Sequence, residues 1–327
     1  MRIRVSVMFA TFAVWTMSGW VVAGITGRGS VEAQGLEGKQ KAVLVTGASS
    51  GIGRKITETL ASRGYFVYAG ARSEEDLRDL NQIENVQSIR LDVTKQDEID
   101  AAVNQVVQAG RGLYGLVNNA GVAVIAPMIE VEEEDLLFQF HVNVLGPYRI
   151  TKAFAPLIME ARGRITTIGS VSGIWARMLD GPYAMSKHAM EAYADALAAE
   201  MERFGVEVSL VEPGRYRSSM AANVLRRMQE RNQTGEGSLF EVEIRGLIAY
   251  ASGDESQFPE PVDVAEAVMH AMFDENPKRR YLVVPSQAQA RGTIQRAIEK
   301  VVELNERHRF SFDRDTLITM LDAALAR

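Results

Sequence analysis

Tyr183 and Lys187 stand four residues apart in "GPYAMSKHAM", residues 181–190, at the start of an alanine-rich run. On a helix that spacing places both side chains on one face, one turn apart. A tyrosine titrates at about 10 and a lysine at about 10.4, so neither alone is a useful acid or base at neutral pH. An ammonium held beside a phenol favours the phenolate, and the two residues then become a single proton-handling device. Taken singly, Tyr183 reads as a half-buried helix residue and Lys187 as a solvated one. The elements around them decide between the two readings.

After Gly35 the chain alternates between strands and helices. Short apolar runs at 42–46, 66–69, 86–91, 115–117, 164–168, 206–211 and 280–285 read as seven strands, most of them apolar on both faces. Helical stretches separate them, such as Ile52 to Ser62 stopped by Gly64, Gln96 to Ala109 stopped by Gly110, and Val262 to Phe273 opened by Pro261. This alternation predicts an α/β fold, a doubly wound and mostly parallel seven-stranded sheet with helices on both faces. One domain spans 35–290, since no linker interrupts it. Within it, Arg215 to Phe258 reads as a polar, irregular insertion at the carboxyl edge of the sheet, a place suited to a substrate lid. From 291 to 327 the chain forms a C-terminal extension. Ile294, Ala297, Ile298, Val301 and Leu304 recur there at helical spacing, an amphipathic helix expected to pack on its own domain or on a second subunit of a homo-oligomer.

Composition narrows the function. The 327 residues carry a net charge of -6, which leaves no basic excess for nucleic acid. Cysteine is absent, excluding disulfides and thiolate chemistry, and His141, His188, His270 and His308 lie too far apart in sequence to suggest a metal site. The first 34 residues differ from the rest. "MRIR" precedes an uncharged run from Val5 to Ile25 and a glycine-bearing linker with Val31-Glu32-Ala33 ahead of Gln34. These are the parts of a secretory signal peptide, and the run is also nearly long enough for a membrane anchor. Either reading places the domain outside the cytosol, exported or membrane-anchored, because the arginines favour a cytoplasmic N-terminus. A misassigned start would instead leave it cytoplasmic.

"TGASSGIG", 46–53, follows the first strand and opens the first helix. Gly47, Gly51 and Gly53 allow a tight turn, so that Ser49, Ser50, Ile52 and the helix N-terminus can present backbone N–H groups to a diphosphate. The spacing G-x-x-x-G-x-G resembles the short-chain dehydrogenase/reductase family, in its compact single-domain branch. Further motifs occur in the family's order. They are "LDVT" with Asp92 and Val93, "NNAG" with Asn119, Ala120 and Gly121, "NVLG" with Asn143 on a long helix, Ser170 placed 13 residues before Tyr183, and "EPG" with Pro213 and Gly214, then Ser218 where the family has a threonine.

The resemblance implies an oxidoreductase that interconverts an alcohol and its ketone or aldehyde with a nicotinamide cofactor. Tyr183 would be the general acid and base, Lys187 would lower its hold on the proton and bind the nicotinamide ribose, Ser170 would hold the substrate oxygen, and Asn143 would position a water linking Lys187 to solvent. Ser172 competes with Ser170, and the 13-residue spacing favours Ser170. The second strand ends in Ala71-Arg72, without the acid that would select NAD, so Arg72, aided by Ser73, is expected to take the 2′-phosphate of NADP. The competing role for Arg72 is a surface pair with Glu75 or Asp76. The region around "GPYAMSKHAM" resembles members acting on steroids, retinoids and other hydrophobic alcohols or ketones, so a small hydrophobic substrate is expected. The alternatives are a non-catalytic NADP-binding redox sensor, a class that commonly lacks the tyrosine or lysine present here, and the sugar-nucleotide epimerase branch, which has a different glycine spacing.

Overall fold

The computed structural model describes residues 40–326. The N-terminal segment expected to target or anchor the protein lies outside the described residues. The described residues belong to one compact unit. Seven parallel strands make its sheet: β1 (Ala42–Thr46), β2 (Phe66–Ala71), β3 (Val86–Arg90), β4 (Gly115–Asn118), β5 (Arg164–Ile168), β6 (Glu207–Pro213) and β7 (Arg280–Val283). Their order is β3-β2-β1-β4-β5-β6-β7, so the winding reverses between β1 and β4. Open sheets of this kind bind ligands beyond the carboxyl ends of the strands at that reversal.

Helices cover both faces. On one side α1 (Gly51–Ser62) and α9 (Val262–Phe273) bury Ile56, Leu60, Val264 and Val268 against Val43, Val45 and Val67. On the other, α3 (Gln96–Gln108), α5 (Leu145–Glu160) and α6 (Gly181–Met201) bury Ile99, Ile150, Phe154, Ile158 and Ala198 against Leu44, Tyr68 and Leu116. Two buried faces explain why the central strands read as continuous apolar runs. The short α2 (Glu74–Leu80) joins β2 to β3.

Three expectations need correction. The long helix carrying Asn143 is two helices, α4 (Glu133–Asn143) and α5, broken at Val144. Pro147 has no N–H to donate to the carbonyl of Asn143, so the helical ladder cannot run through. The insertion from 215 to 258 is not irregular: it contains α7 (Met220–Glu230) and α8 (Glu241–Ala251). Val224, Met228 and Ile244 are buried between them, over Ala123, Ile125 and Leu179. Its polar character belongs to the outer faces of two amphipathic helices. The C-terminal extension holds α10 (Gln287–Asn305) and a second helix, α11 (Arg314–Leu325), that the apolar pattern did not announce. Ile294, Ile298, Val301 and Leu304 are left about half or more exposed on α10 rather than buried against their own domain. What α10 turns to the domain is polar: Lys300 Nζ donates to the Ile174 carbonyl, and Arg296 lies over Trp175 at 5.7 Å. Among the described residues no helix is long and apolar enough to cross a membrane.

Candidate active site

A cleft of about 320 Å³ opens at the carboxyl ends of β1, β2, β4, β5 and β6. The residues singled out from the sequence for cofactor and catalysis line it, except Asn143 and Ser73. Its floor is the turn between β1 and α1. Gly47 and Gly51 sit at φ +64° and +53°, where a side chain would be strained. A Cβ on Gly53 would meet the Gly47 carbonyl oxygen and Asn119 Nδ2 well inside 3.0 Å, so only glycine lets helix and loop approach this closely. Ser50 caps α1 without a side-chain hydrogen bond, and the first turn carries no acid. The N–H groups there are left to an anion, and the helix dipole favours one. These features fit the diphosphate of a dinucleotide.

Thr46 locks the floor to the opposite wall, a role the sequence reading missed. Its buried Oγ1 accepts from the backbone N–H groups of Asn119 and Ala120, both at 3.0 Å. Asn119 returns hydrogen bonds to the carbonyls of Thr46 (2.9 Å) and Gly47 (3.1 Å). Thr46 stands first in "TGASSGIG", but only the fold brings it to the "NNAG" loop.

At the rim, Arg72 lines the cleft just past β2. It pairs with neither Glu75 nor Asp76: it makes no ion pair with a described residue, and Glu74 is taken by Arg90 at 2.7 Å. Ser73 does not line the cleft, because its hydroxyl caps α2 by accepting from Asp76 N at 3.1 Å. Asp92 turns its carboxylate on the Thr94 N–H (2.9 Å) and hydroxyl (2.6 Å). Burial raises its pKa, but those two hydrogen bonds and the charges of Arg72 and Lys95 outweigh this and hold it below the usual range.

The tyrosine and lysine do share one face of α6. The Lys187 ammonium is buried, donates to the Ile168 carbonyl at 2.8 Å, and lies 5.7 Å from the Tyr183 ring centre. Burial pushes the lysine down to about 8, with Glu191 partly opposing the shift. Burial also pushes the phenol up to about 12; Ser170, hydrogen-bonded to it, and Arg177 pull it down, while Asp180 pushes it further up. The lowered phenol pKa expected from the pair is therefore not what the chain alone produces, because desolvating an anion costs more than these neighbours return.

Two nearby residues were not foreseen. Asp180, buried at the start of α6, accepts the Ser172 hydroxyl at 3.0 Å and pairs with Arg177 at 3.6 Å. That bond engages Ser172 and leaves Ser170 as the hydroxyl on the tyrosine. Ser186 receives Asn143 Nδ2 at 3.1 Å, while the Asn143 amide also clamps the N–H and carbonyl of Val122, both at 2.9 Å. Both amide protons of Asn143 thus go to protein acceptors. Phe138, Val142, Met220 and Asn223 complete the outer wall. Helix α7 is fastened to α4 through buried Asp135, which binds Arg227, Arg231 (3.0 Å) and Gln233 (3.2 Å).

The chain matches the short chain dehydrogenase family over residues 41–229, more than half its length. It belongs to that family. It is 33% identical to the mitochondrial D-beta-hydroxybutyrate dehydrogenase of Bos taurus over 269 residues, 74% of this chain and 76% of the relative. It is also 33% identical to the NADPH-dependent 3-dehydrocapnine reductase of Ornithobacterium rhinotracheale, over 74% of this chain and 87% of the relative. The crystal structure of a short-chain dehydrogenase from Streptomyces avermitilis superposes with a TM-score of 0.64 at 26% identity, covering 88% of this chain and 98% of that one. The protein is thus a short-chain dehydrogenase, an oxidoreductase acting on CH–OH groups, built on the doubly wound parallel sheet of that family.

Proposed function

We propose that the protein is an NADP-dependent reductase of a hydrophobic ketone or aldehyde, catalysed by Tyr183, Lys187 and Ser170. The observation that carries the cofactor preference is Arg72, a guanidinium with no ion pair to a described residue, lining the cleft just past β2, whose last residue is Ala71 rather than the acid that would select NAD. A 2′-phosphate offers it a bidentate partner, whereas two ribose hydroxyls do not. The NADPH dependence of the 3-dehydrocapnine reductase supports the same preference.

When bound, the cofactor supplies the hydride. The residues of the glycine turn, with Asp92, Val93, Asn119, Ala120, Gly121, Pro213, Gly214 and Ser218, would hold it. Ser170 donates to the substrate oxygen and stabilises the charge growing there. Tyr183, protonated at neutral pH, gives that oxygen its proton, and the Lys187 ammonium stabilises the phenolate that remains. Asn143 contributes by holding the loop after β4 against α6 through Val122 and Ser186. Phe138, Val142 and Met220 on the outer wall suit an apolar substrate body.

The test is kcat/KM with NADPH and with NADH over a panel of hydrophobic ketones and aldehydes. Equal or better efficiency with NADH refutes the cofactor assignment, and oxidation of no alcohol and reduction of no carbonyl refutes the enzyme reading in favour of a redox sensor. Self-association and N-terminal targeting belong to the same proposal. Light scattering reads the first, and sequencing the mature N-terminus reads the second, with Gln34 first meaning cleavage.

A further inference from the structure

Behind Lys187, away from the cleft, the sheet and α6 enclose a cluster of charges to which nothing above gives a role. Glu212, on β6, is 3% exposed, and its carboxyl lies within hydrogen-bond reach of Glu191 on α6. Glu191 is one helical turn beyond Lys187, on the same face. One oxygen of each carboxyl, Oε1 of Glu191 and Oε1 of Glu212, is buried with no donor. Two facing carboxylates cannot both stay ionised in such a place, and unpartnered buried oxygens are costly. A single proton between them answers both problems.

We propose that Glu191 and Glu212 share one proton, and that this acid–carboxylate pair, braced by Arg280, positions the Lys187 ammonium for catalysis. The positioning half rests on the reading of Lys187 as catalytic. The bracing is direct: Arg280 on β7 gives Nε to Glu191 at 3.1 Å and a fork of two bonds, both 2.9 Å, to Asp195. Gly173 makes room, since a Cβ there would come within 2.7 Å of Glu191 Oε1. The ionisable groups facing the pair are Lys187 and Asp195 from α6 and Arg280 from β7, with Arg279 acting on Asp195; the turn Val171–Gly173 adds none. Burial first, and Glu191 second, hold the Glu212 carboxyl above the usual range, in keeping with a retained proton. With that proton on Glu212, Glu191 keeps one negative charge, which favours the charged form of Lys187. The pair belongs together, so its titration is that of the pair rather than of either residue.

The experiment combines infrared spectroscopy of the whole protein at neutral pH with pH profiles of kcat for the wild type, E212Q and E191Q. The wild type is expected to show a protonated-carboxyl band that is lost in E212Q, where an amide N–H takes the proton's place. E191Q loses the band as well, since the new amide donates to Glu212, and so serves if E212Q does not fold. E191Q also moves the limb of the profile set by Lys187 down by about one pH unit, an about tenfold loss of active enzyme above it. KM for NADPH separates this from collapse of the site: the limb moves while KM stays within about threefold, below 1 kcal/mol of binding. A spectrum unchanged in both variants overturns the shared proton. An unmoved limb in E191Q overturns the positioning of Lys187. Wild-type turnover in Tyr183→Phe overturns the catalytic reading, and with it the positioning role, yet leaves the infrared assignment standing, so the two failures are distinguishable.

Discussion

Replacing Lys187 by methionine should stabilise the protein at pH 7 while abolishing its activity. The wild-type ammonium is 6% exposed, and burial, partly offset by Glu191, takes its pKa from 10.5 to about 8. That fall of about 2.5 pH units, at about 1.4 kcal/mol each, means the folded state carries roughly 3 kcal/mol of penalty for the charged form. Methionine removes the charge and keeps most of the packing volume. It also strips the Ile168 carbonyl of its 2.8 Å hydrogen bond, which costs about 2 kcal/mol. The net is a gain of about 1 kcal/mol at pH 7. The sign then changes with pH. A group whose folded pKa is depressed penalises the fold fully below the lower value, and the penalty vanishes as pH rises from about 8 to 10.5. By pH 10.5 only the lost hydrogen bond is left, and Lys187→Met should be the less stable protein by about 2 kcal/mol. Urea denaturation of both proteins at pH 7 and pH 10.5 measures the crossover. A variant less stable at pH 7 by the same amount as at pH 10.5 would refute the claim that the ammonium is buried at a cost.

Gly53→Ala pits helix propensity, which favours alanine by about 1 kcal/mol, against the Gly47 carbonyl and Asn119 amide that its Cβ would strike. Overpacking of this kind costs about 1–3 kcal/mol, so about tenfold weaker NADPH binding is expected by fluorescence titration, and tighter binding would show the turn to be more yielding than its geometry. Asp135→Asn removes the buried charge that fastens α7 to α4 and leaves Arg227 and Arg231 without it. The expected effect is about 3 kcal/mol on the docking of α7 against α4, read as faster hydrogen exchange across α7 and a raised KM for the carbonyl substrate with kcat less affected. The reduction and oxidation rates should depend on pH differently. With the phenol at about 12, the deprotonated fraction needed for oxidation grows about tenfold per pH unit below the Lys187 limb at about 8, whereas the protonated form needed for reduction stays full there. Stopped-flow rates in both directions from about pH 6 to pH 7.5, below the Lys187 limb, decide it, and a flat oxidation rate contradicts the raised phenol.

The strands were legible because burial on both faces leaves a signal in each stretch by itself: β1 and β5 fall where the apolar runs placed them, and the others shift by a few residues at their ends. Glycine punctuation located the ends of α1 and α3 for the same local reason, with Gly64 and Gly110 both at positive φ. Helices α7 and α8 were missed because their apolar faces are narrow and complete each other only after folding, Val224 and Met228 on one, Ile244 on the other. The cleft's residues could be chosen by motif, and the fold does bring them together. What no motif carried was the use of each polar atom. Ser170 and Ser172 are the same residue type two positions apart, and Asp180 is what separates their roles. Ser73 looked free to meet a phosphate until its hydroxyl proved to be the cap of α2.

The pair that opens α6 illustrates why residue type underdetermines chemistry. Spacing correctly places Tyr183 and Lys187 on one face, but burial acts on both with opposite sign, raising the phenol and lowering the amine. Desolvation disfavours whichever form is charged, so it pulls the two toward the neutral phenol and the neutral amine, away from the phenolate–ammonium state that the proposed mechanism uses. That state becomes accessible only if other charges hold the ammonium in place. Glu191, one turn on and facing a second buried carboxyl, is the group positioned to do so. The face of α6 that carries Tyr183 and Lys187 continues a full turn beyond the lysine to Glu191, and its inner end reaches the sheet at Glu212.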